Sequence, residues 1–80
     1  MSTDKIYVAG ASWCGFTTKA FEAIDNSNDS AKFEKLNCDK EHADHEMCKN
    51  VEAYPTFKKD DNTVCKMGFG SMEDVLSSCQ

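Results

Sequence analysis

The chain has 80 residues, of which 40% are hydrophobic and 29% charged, and its net charge is -5, with nine lysines and no arginine. This composition is typical of one globular domain and excludes a disordered chain. An acidic chain without clustered positive charge is a poor candidate for binding nucleic acid or an anionic membrane. We therefore expect one domain over residues 1–80, with no nucleic acid and no membrane among its partners.

The start of the chain predicts a buried strand followed by a helix. Residues 5–11, KIYVAGA, are mostly apolar, as in a central strand. The helix begins at the turn 13–17 and ends near Asp25, before the turn formers of residues 26–30. Its apolar side chains recur at helical spacing: Ala20, Phe21 and Ile24.

The middle of the chain predicts a second strand and a second helix. Residues 33–38, FEKLNC, alternate as expected of a strand. The polar segment 39–51 is predicted as a helix with Asp39 as its N-cap. One stripe of this helix carries Ala43, Met47 and Val51.

The end of the chain predicts a hairpin and a last helix. Residues 54–59 and 63–69 are β-prone and are separated by the turn at 60–62, so we expect an antiparallel pair. Ser71 is the predicted N-cap of a helix over residues 72–80, which has acidic side chains in its first turn.

The predicted order of elements is therefore β-α-β-α-β-β-α. Strands that alternate with helices pair in parallel, and the terminal hairpin adds antiparallel strands. We expect an α/β fold with a four-stranded mixed sheet and helices on both faces of the sheet.

The chain has five cysteines: Cys14, Cys38, Cys48, Cys65 and Cys79. The odd number argues against the disulfide scaffold of a secreted mini-protein and leaves at least one free thiol in a monomer. A Cys38–Cys48 disulfide is one alternative, because Cys38 lies near a strand end and Cys48 on the following helix. We expect Cys65 and Cys79 to be buried or incidental thiols. The N-terminus is too polar for a secretory signal, so we expect a reducing, cytoplasmic compartment.

Cys14, in the stretch WCGFT, is the cysteine most open to activation. It lies where a strand ends and a helix begins, so unpaired backbone N–H groups and the helix dipole favour a thiolate and lower the pKa of the thiol. Gly15 and Phe16 fill the first helical turn without adding charge. The alternative is an inert buried cysteine, but the helix-start position and the flanking Trp13 favour a nucleophile.

Pro55, the only proline of the chain, precedes a predicted strand in the stretch AYPTF. Proline is tolerated at the start of a strand. On these residues alone an ordinary turn proline is favoured, because about 5–6% of X-Pro bonds are cis. The alternative is a cis-proline turn that lies beside Cys14 and presents its backbone to an extended substrate.

The spacing C-x3-H-x2-H-x2-C, formed by Cys38, His42, His45 and Cys48, is compatible with a zinc site. On a helix, however, the last three side chains rotate progressively around the axis and do not converge on one point. We therefore expect no metal site and favour a solvated helix face with two ordinary histidines.

Three segments together resemble the thioredoxin superfamily. KIYVAGASWCGFT resembles its central strand and active-site turn, FEKLNCDK resembles its next strand, and VEAYPTFKKDDNTVCKMGFG resembles its cis-proline, hairpin and glycine segment. The similarity extends from Lys5 to Leu76, nearly the whole chain. It implies a thioredoxin-like fold of glutaredoxin length, because the chain begins directly at the central strand.

The resemblance implies a role for each residue that matches the family motif. Cys14 is the attacking thiol, Pro55 is the cis-proline, and Tyr54 presents its backbone to the substrate. Thr17 stands where the family has a second, resolving cysteine, and Val8 stands where thioredoxins have a buried acid. The implied substrate-binding surface comprises Trp13, Gly15, Phe16, Tyr54, Pro55, Gly70 and Ser71.

Thr17 decides the expected mechanism. Cys14 can form a mixed disulfide, but a hydroxyl does not compete as a nucleophile at neutral pH, so release needs an outside thiol or another cysteine of this chain. Thr17 can still donate a hydrogen bond to the thiolate and lower the pKa of Cys14. We expect a monomeric, monothiol thiol–disulfide oxidoreductase that acts on disulfide-containing proteins or glutathione mixed disulfides, with no cofactor and with glutathione as a co-substrate.

Two other functions stay open. CGFT differs by one methyl group from the CGFS of monothiol glutaredoxins, which bind glutathione and an iron–sulfur cluster, and GSMEDV at 70–75 resembles their glutathione-binding turn. Against this, Ala11 stands where glutaredoxins have a lysine. The other alternative is a non-catalytic module that binds peptides in the groove of the same fold.

Overall fold

The computed structural model describes residues 5–79 as a four-stranded sheet with two α-helices. The strands are β1 (Ile6–Gly10), β2 (Phe33–Asn37), β3 (Thr56–Lys58) and β4 (Val64–Met67). The helices are α1 (Gly15–Asp25) and α2 (Met72–Cys79), with short 3₁₀-helices at Ser30–Lys32 and Glu46–Cys48. Residues 1–4, used above to predict the compartment, and Gln80 of the last predicted helix lie outside the described residues. Neither α1 nor α2 has the length and apolar content that a membrane-spanning helix needs.

The sheet has the strand order β2-β1-β3-β4, with β1 in its interior. β1 pairs in parallel with β2, from Ile6 opposite Phe33 to Gly10 opposite Asn37, and antiparallel with β3. β3 and β4 form an antiparallel hairpin. The predicted four-stranded mixed sheet is confirmed. Its first strand is apolar throughout because it is bonded on both edges and covered on both faces.

Both α-helices pack on the same face of the sheet. α1 buries Thr17, Ala20 and Ile24, which recur at the spacing of one helix face. The core cluster on this face contains Ile6, Val8, Ala20, Ile24, Phe33, Phe57, Val75 and Cys79. A disulfide between Cys65 and Cys79 joins β4 to the end of α2. This face is therefore held by apolar packing and by one crosslink.

The opposite face is covered by the segment 38–54, which contains no α-helix. Its core cluster consists of Ala9, Leu36, Cys38 and Met47, with Tyr7, Cys48, Val51 and Tyr54 packed around it. The expectation of helices on both faces is therefore wrong. Met47 and Val51 of the predicted stripe do pack here, whereas Ala43 is exposed.

The Cys38–Cys48 disulfide explains why residues 39–51 do not form the predicted helix. The two Cα atoms are 5.6 Å apart, whereas ten residues of α-helix span about 15 Å. Side chains also compete for the backbone: Nδ1 of His42 accepts from the N–H of Asn37 at 3.0 Å, and His45 caps the 3₁₀-helix through its Nδ1. The crosslink and these hydrogen bonds replace a helical ladder with turns.

Gly10 lies where a larger residue does not fit. A Cβ atom at this position would overlap the methyl group of Thr17 and come within 3.0 Å of its hydroxyl oxygen. We expect Gly10→Ala to lower the free energy of unfolding, measured by urea titration, by about 1–3 kcal/mol, the usual cost of overpacking. Gly15→Ala is the matched control, because a Cβ there meets nothing within 4 Å and alanine favours a helix. Equal losses in the two variants would contradict the steric explanation.

Candidate functional site

Cys14 lies between β1 and α1, at the N-cap position of the helix. Its backbone is extended, with φ of -93° and ψ of 121°. Its N–H donates to the carbonyl of Ala11 at 3.0 Å, and its carbonyl accepts from the N–H of Thr18 at 3.1 Å. The side chain is half-buried. The sulfur is therefore held beside the amide groups that begin the helix.

The first turn of α1 lowers the pKa of the Cys14 thiol. The backbone N–H of Thr17 has the largest effect, desolvation opposes it, and the Thr17 hydroxyl and the Phe16 N–H lower the pKa further. The thiol makes no capping hydrogen bond of standard geometry, so these groups act mainly as dipoles directed at the sulfur. The thiolate fraction at neutral pH is consequently larger than in an ordinary cysteine.

Thr17 connects the helix to the turn that precedes Cys14. It is only 1% exposed, and its Oγ1 accepts a hydrogen bond from the N–H of Ala11 at 3.3 Å. Because the oxygen accepts this bond, its proton stays available for the Cys14 sulfur. Thr17 thus supports the thiol and the local backbone together.

A backbone carbonyl faces the thiol from the neighbouring loop. The oxygen of Tyr54 accepts from the Cys14 thiol at 3.6 Å, and the Tyr54–Pro55 peptide bond is cis. The Tyr54 ring meets the Trp13 indole edge-on, with ring centroids 5.8 Å apart. The Pro55 carbonyl accepts from the N–H of Gly68 at 2.8 Å, which fixes the loop to the end of β4. Four of the residues singled out in the sequence therefore lie together.

Asp39 fixes the turn before Cys14 by binding Ser12. Its carboxylate accepts two hydrogen bonds from Ser12, one from the hydroxyl at 2.6 Å and one from the N–H at 3.0 Å. The hydroxyl bond, followed by the N–H bond, lowers the pKa of Asp39. The prediction that Asp39 caps a helix is wrong, and the Ser12 contact was missed. Nothing in the local pattern signals it, because the two residues are 27 positions apart.

Two exposed aromatic side chains flank Cys14 in the chain. Trp13 is 72% exposed and Phe16 is 59% exposed. Gly15, between the thiol and Phe16, borders open space. The ammonium group of Lys19 lies 6.0 Å from the Phe16 ring centroid. This surface can receive an apolar partner next to the sulfur.

Gly70 and Ser71, the other residues of the implied binding surface, have a different environment. Ser71 caps α2, as predicted, by accepting from the N–H of Asp74 at 3.2 Å. Within residues 5–79, neither Gly70 nor Ser71 forms a hydrogen bond with Cys14 or Tyr54. The assignment of Gly70 and Ser71 to the binding surface stays a prediction.

All five cysteines lie within the described residues, and four are paired. The disulfides are Cys38–Cys48 and Cys65–Cys79, so Cys14 has the free thiol. The Cys38–Cys48 pair was one of the alternatives that the sequence left open. Cys65 and Cys79 were expected to be buried or incidental thiols; Cys79 is buried, but the expectation of thiols is wrong, because the two form a disulfide. A signal for this pair existed, because Cys65 belongs to the hairpin and Cys79 to the helix that packs on it.

No group of three or more His, Cys, Asp or Glu side chains among residues 5–79 has an arrangement that could hold a metal ion. The four residues of the zinc-like motif have other partners. Cys38 and Cys48 form a disulfide, and the Nδ1 atoms of His42 and His45 accept hydrogen bonds from backbone N–H groups. The helical geometry used to argue against zinc is absent, so that argument does not apply.

Comparisons with protein-family models, with curated proteins and with solved structures found no match for this chain. The resemblance to the thioredoxin superfamily therefore stays a prediction from three sequence segments. The free thiol and its contacts are the features of residues 5–79 from which a function can be argued.

Thr17→Val tests the role of the buried hydroxyl. We expect slower alkylation of Cys14 by iodoacetamide at neutral pH, because loss of the hydroxyl raises the pKa of the thiol. The free energy of unfolding should fall by about 1–3 kcal/mol, because the N–H of Ala11 loses its acceptor. Thr18→Val is the matched control, since Thr18 is exposed and bonds only the Cys14 carbonyl.

The pH dependence of Thr17→Val has a definite sign. A cysteine pKa that is lower in the folded chain stabilises the fold above the pKa of the unfolded thiol, and this contribution is lost as the pH falls through the lowered folded pKa. The stability deficit of the variant should therefore grow as the pH rises through this window. A deficit that is independent of pH would show that Thr17 supports only the backbone.

Asp39→Asn tests the link between Asp39 and Ser12. The lowered pKa of Asp39 stabilises the fold above the ordinary carboxyl pKa, and the contribution is lost as the pH falls through the lowered folded pKa. We therefore expect the variant to be less stable than the native chain at neutral pH, with a difference that shrinks in acid. Asp61→Asn is the control, because Asp61 accepts from Thr63 in the β3–β4 turn. Only the Asp39 variant should change the fluorescence of Trp13.

Proposed function

We propose that this chain is a monomeric thiol–disulfide oxidoreductase with a thioredoxin-like fold, which works through the single thiol of Cys14. The observation that carries the proposal is the setting of this thiol. It is free, it lies at the start of α1 with a lowered pKa, and it is 3.6 Å from the Tyr54 carbonyl oxygen. A mixed sheet with Cys14 directly after its interior strand supports the proposed fold.

The proposed reaction begins when the Cys14 thiolate attacks one sulfur of a substrate disulfide. A bond forms between Cys14 and that sulfur, the substrate disulfide breaks, and the second substrate sulfur leaves as a thiolate. The amide and hydroxyl of Thr17 favour the attacking thiolate. The Tyr54 carbonyl can accept a hydrogen bond from the backbone of an extended substrate once the thiol proton is lost.

An external thiol completes the proposed cycle. Its thiolate attacks the substrate sulfur of the mixed disulfide, so that a new disulfide forms between the external thiol and the substrate, and Cys14 leaves as a thiolate. Glutathione is one thiol suited to this step. Thr17 cannot perform this step, because a hydroxyl is not ionised at neutral pH. The other four cysteines are closed in disulfides, which favours an external thiol over a second cysteine of this chain.

The surroundings of the thiol favour disulfide-containing polypeptides as substrates. Trp13 and Phe16, which flank Cys14 in the chain, have exposed aromatic rings, and such rings pack against apolar side chains. Glutathione carries two carboxylates, and the Asp39 carboxylate beside Ser12 is no partner for them. We do not propose iron–sulfur or glutathione-cofactor binding, because Ala11 stands where glutaredoxins have a lysine.

We favour an oxidising compartment for this activity over the cytoplasm expected from the N-terminus. Both Cys38–Cys48 and Cys65–Cys79 are closed. Disulfides of this kind persist where thiols are not kept reduced by glutathione and thioredoxin systems.

Mass spectrometry of Cys14→Ser and the native chain tests the function. After brief exposure to a peptide disulfide and an acid quench, we expect one peptide adduct on Cys14 of the native chain. Reduced glutathione should remove it, and the Cys14→Ser variant should form none. Oxidised glutathione used in the same way compares the two substrate classes, and we expect slower reaction with it.

An adduct on the Cys14→Ser variant would contradict the assignment of the thiol. A native chain that forms no adduct but binds the same peptide, with or without the Cys14 substitution, would favour the non-catalytic peptide-binding module.

A further inference from the structure

The Cys38–Cys48 disulfide lies behind the proposed site, in the layer that covers the second face of the sheet. Both cysteines pack with Leu36 and Met47, and Tyr54 packs against the same cluster. Tyr54 in turn contacts Cys14 through its carbonyl oxygen. A continuous series of contacts therefore connects this disulfide to the free thiol.

The chain between the disulfide and Tyr54 is short and irregular, with no helix or strand of its own. Two hydrogen bonds fasten it to β3. The carbonyl of Lys49 accepts from the buried ammonium group of Lys58 at 3.0 Å, and the carbonyl of Ala53 accepts from the hydroxyl of Thr56 at 2.6 Å. The disulfide is the covalent anchor at the start of this segment, residues 49–53, which we call the bridge.

We propose that the Cys38–Cys48 disulfide positions Tyr54 for the reaction of Cys14, so that the redox state of this disulfide sets the reactivity of the site. When the disulfide is closed, the bridge holds the Tyr54 carbonyl and ring against Cys14 and Trp13. When it is open, the bridge loses its covalent anchor, and the substrate-facing carbonyl is no longer fixed. The effect on catalysis rests on the proposed function, whereas the positioning of Tyr54 does not.

Opening the disulfide needs a two-electron reductant, and a dithiol supplies the electrons. One thiolate of the dithiol attacks a sulfur of the disulfide, and its second thiolate then closes a new disulfide within the reductant. Cys38 and Cys48 leave as two thiols, and the dithiol is oxidised. Attack on the Cys48 sulfur is favoured, because Cys48 is half-buried whereas Cys38 is only 8% exposed.

The chain contains a matched control for this proposal. The Cys65–Cys79 disulfide has a sequence separation of 14, close to the separation of 10 for Cys38–Cys48. Because loop length governs the constraint on the unfolded chain, removal of either crosslink should cost similar stability. Cys79 belongs to the cluster on the helical face, with Cys65 packed against it, and that cluster contains neither Tyr54 nor Trp13.

The test compares the variants Cys38→Ala/Cys48→Ala and Cys65→Ala/Cys79→Ala at a temperature where circular dichroism shows both to be folded. One readout is the rate of exchange between Cys14 and a peptide disulfide. The other is the emission of Trp13, the only tryptophan, whose ring contacts Tyr54. We expect about tenfold slower exchange in the first variant only, because shifts of about 1 Å in a reacting geometry cost up to about a hundredfold. Its Trp13 emission should shift as well.

Equal rates and equal emission in the two variants would overturn the proposal, as would equal losses in both, which would show a general effect of stability. If the native chain itself does not exchange, the proposed function fails, but the emission of Trp13 still decides whether the disulfide positions Tyr54. If the first variant is unfolded, the native chain is treated with dithiothreitol until peptide mapping shows Cys38 and Cys48 alone as new thiols. Unchanged emission and exchange in that species would also overturn the proposal.

Discussion

The packing of α1 against the end of β1 is the contact on which the rest of the site depends. Gly10 has no side chain, so the buried Thr17 lies directly on the strand, and its hydroxyl accepts the N–H of Ala11. This contact fixes the turn between strand and helix with Cys14 at the N-cap. The amides of the first helical turn then face the sulfur and favour its ionised form. The packing of Thr17 on Gly10 therefore contributes to the lowered pKa of the Cys14 thiol.

The two faces of the sheet are stabilised in different ways, and the site lies where they meet. The helical face is an apolar cluster in which α1 and α2 bury regular stripes of side chains. The other face is covered by turns, with fewer buried residues and a disulfide at its centre. Cys14 lies at the start of α1, on the helical face, and Tyr54 belongs to the segment that covers the other face; its carbonyl oxygen contacts the Cys14 thiol. The thiol therefore lies on regularly packed structure, whereas Tyr54 belongs to an irregular segment that packs beside a disulfide.

Hydrophobic periodicity predicted most of the fold, and local position predicted much of the site. The strands, the hairpin, α1 and α2 follow from patterns within short windows. The placement of Cys14 at a helix start follows from the same patterns. The prediction of a helix over residues 39–51 was wrong. Its apolar stripe is a local signal, whereas the helix is excluded by a disulfide between Cys38 and Cys48, which are ten positions apart.

The sequence by itself determined the mixed sheet and the position of Cys14 at the start of a helix, because each depends on neighbouring residues. Only the tertiary structure decided which cysteines pair, that Asp39 binds Ser12, and that the Tyr54 carbonyl lies at the Cys14 sulfur. These contacts join residues far apart in the chain. Their formation depends on how the strands and loops pack together, which short-range sequence patterns do not encode.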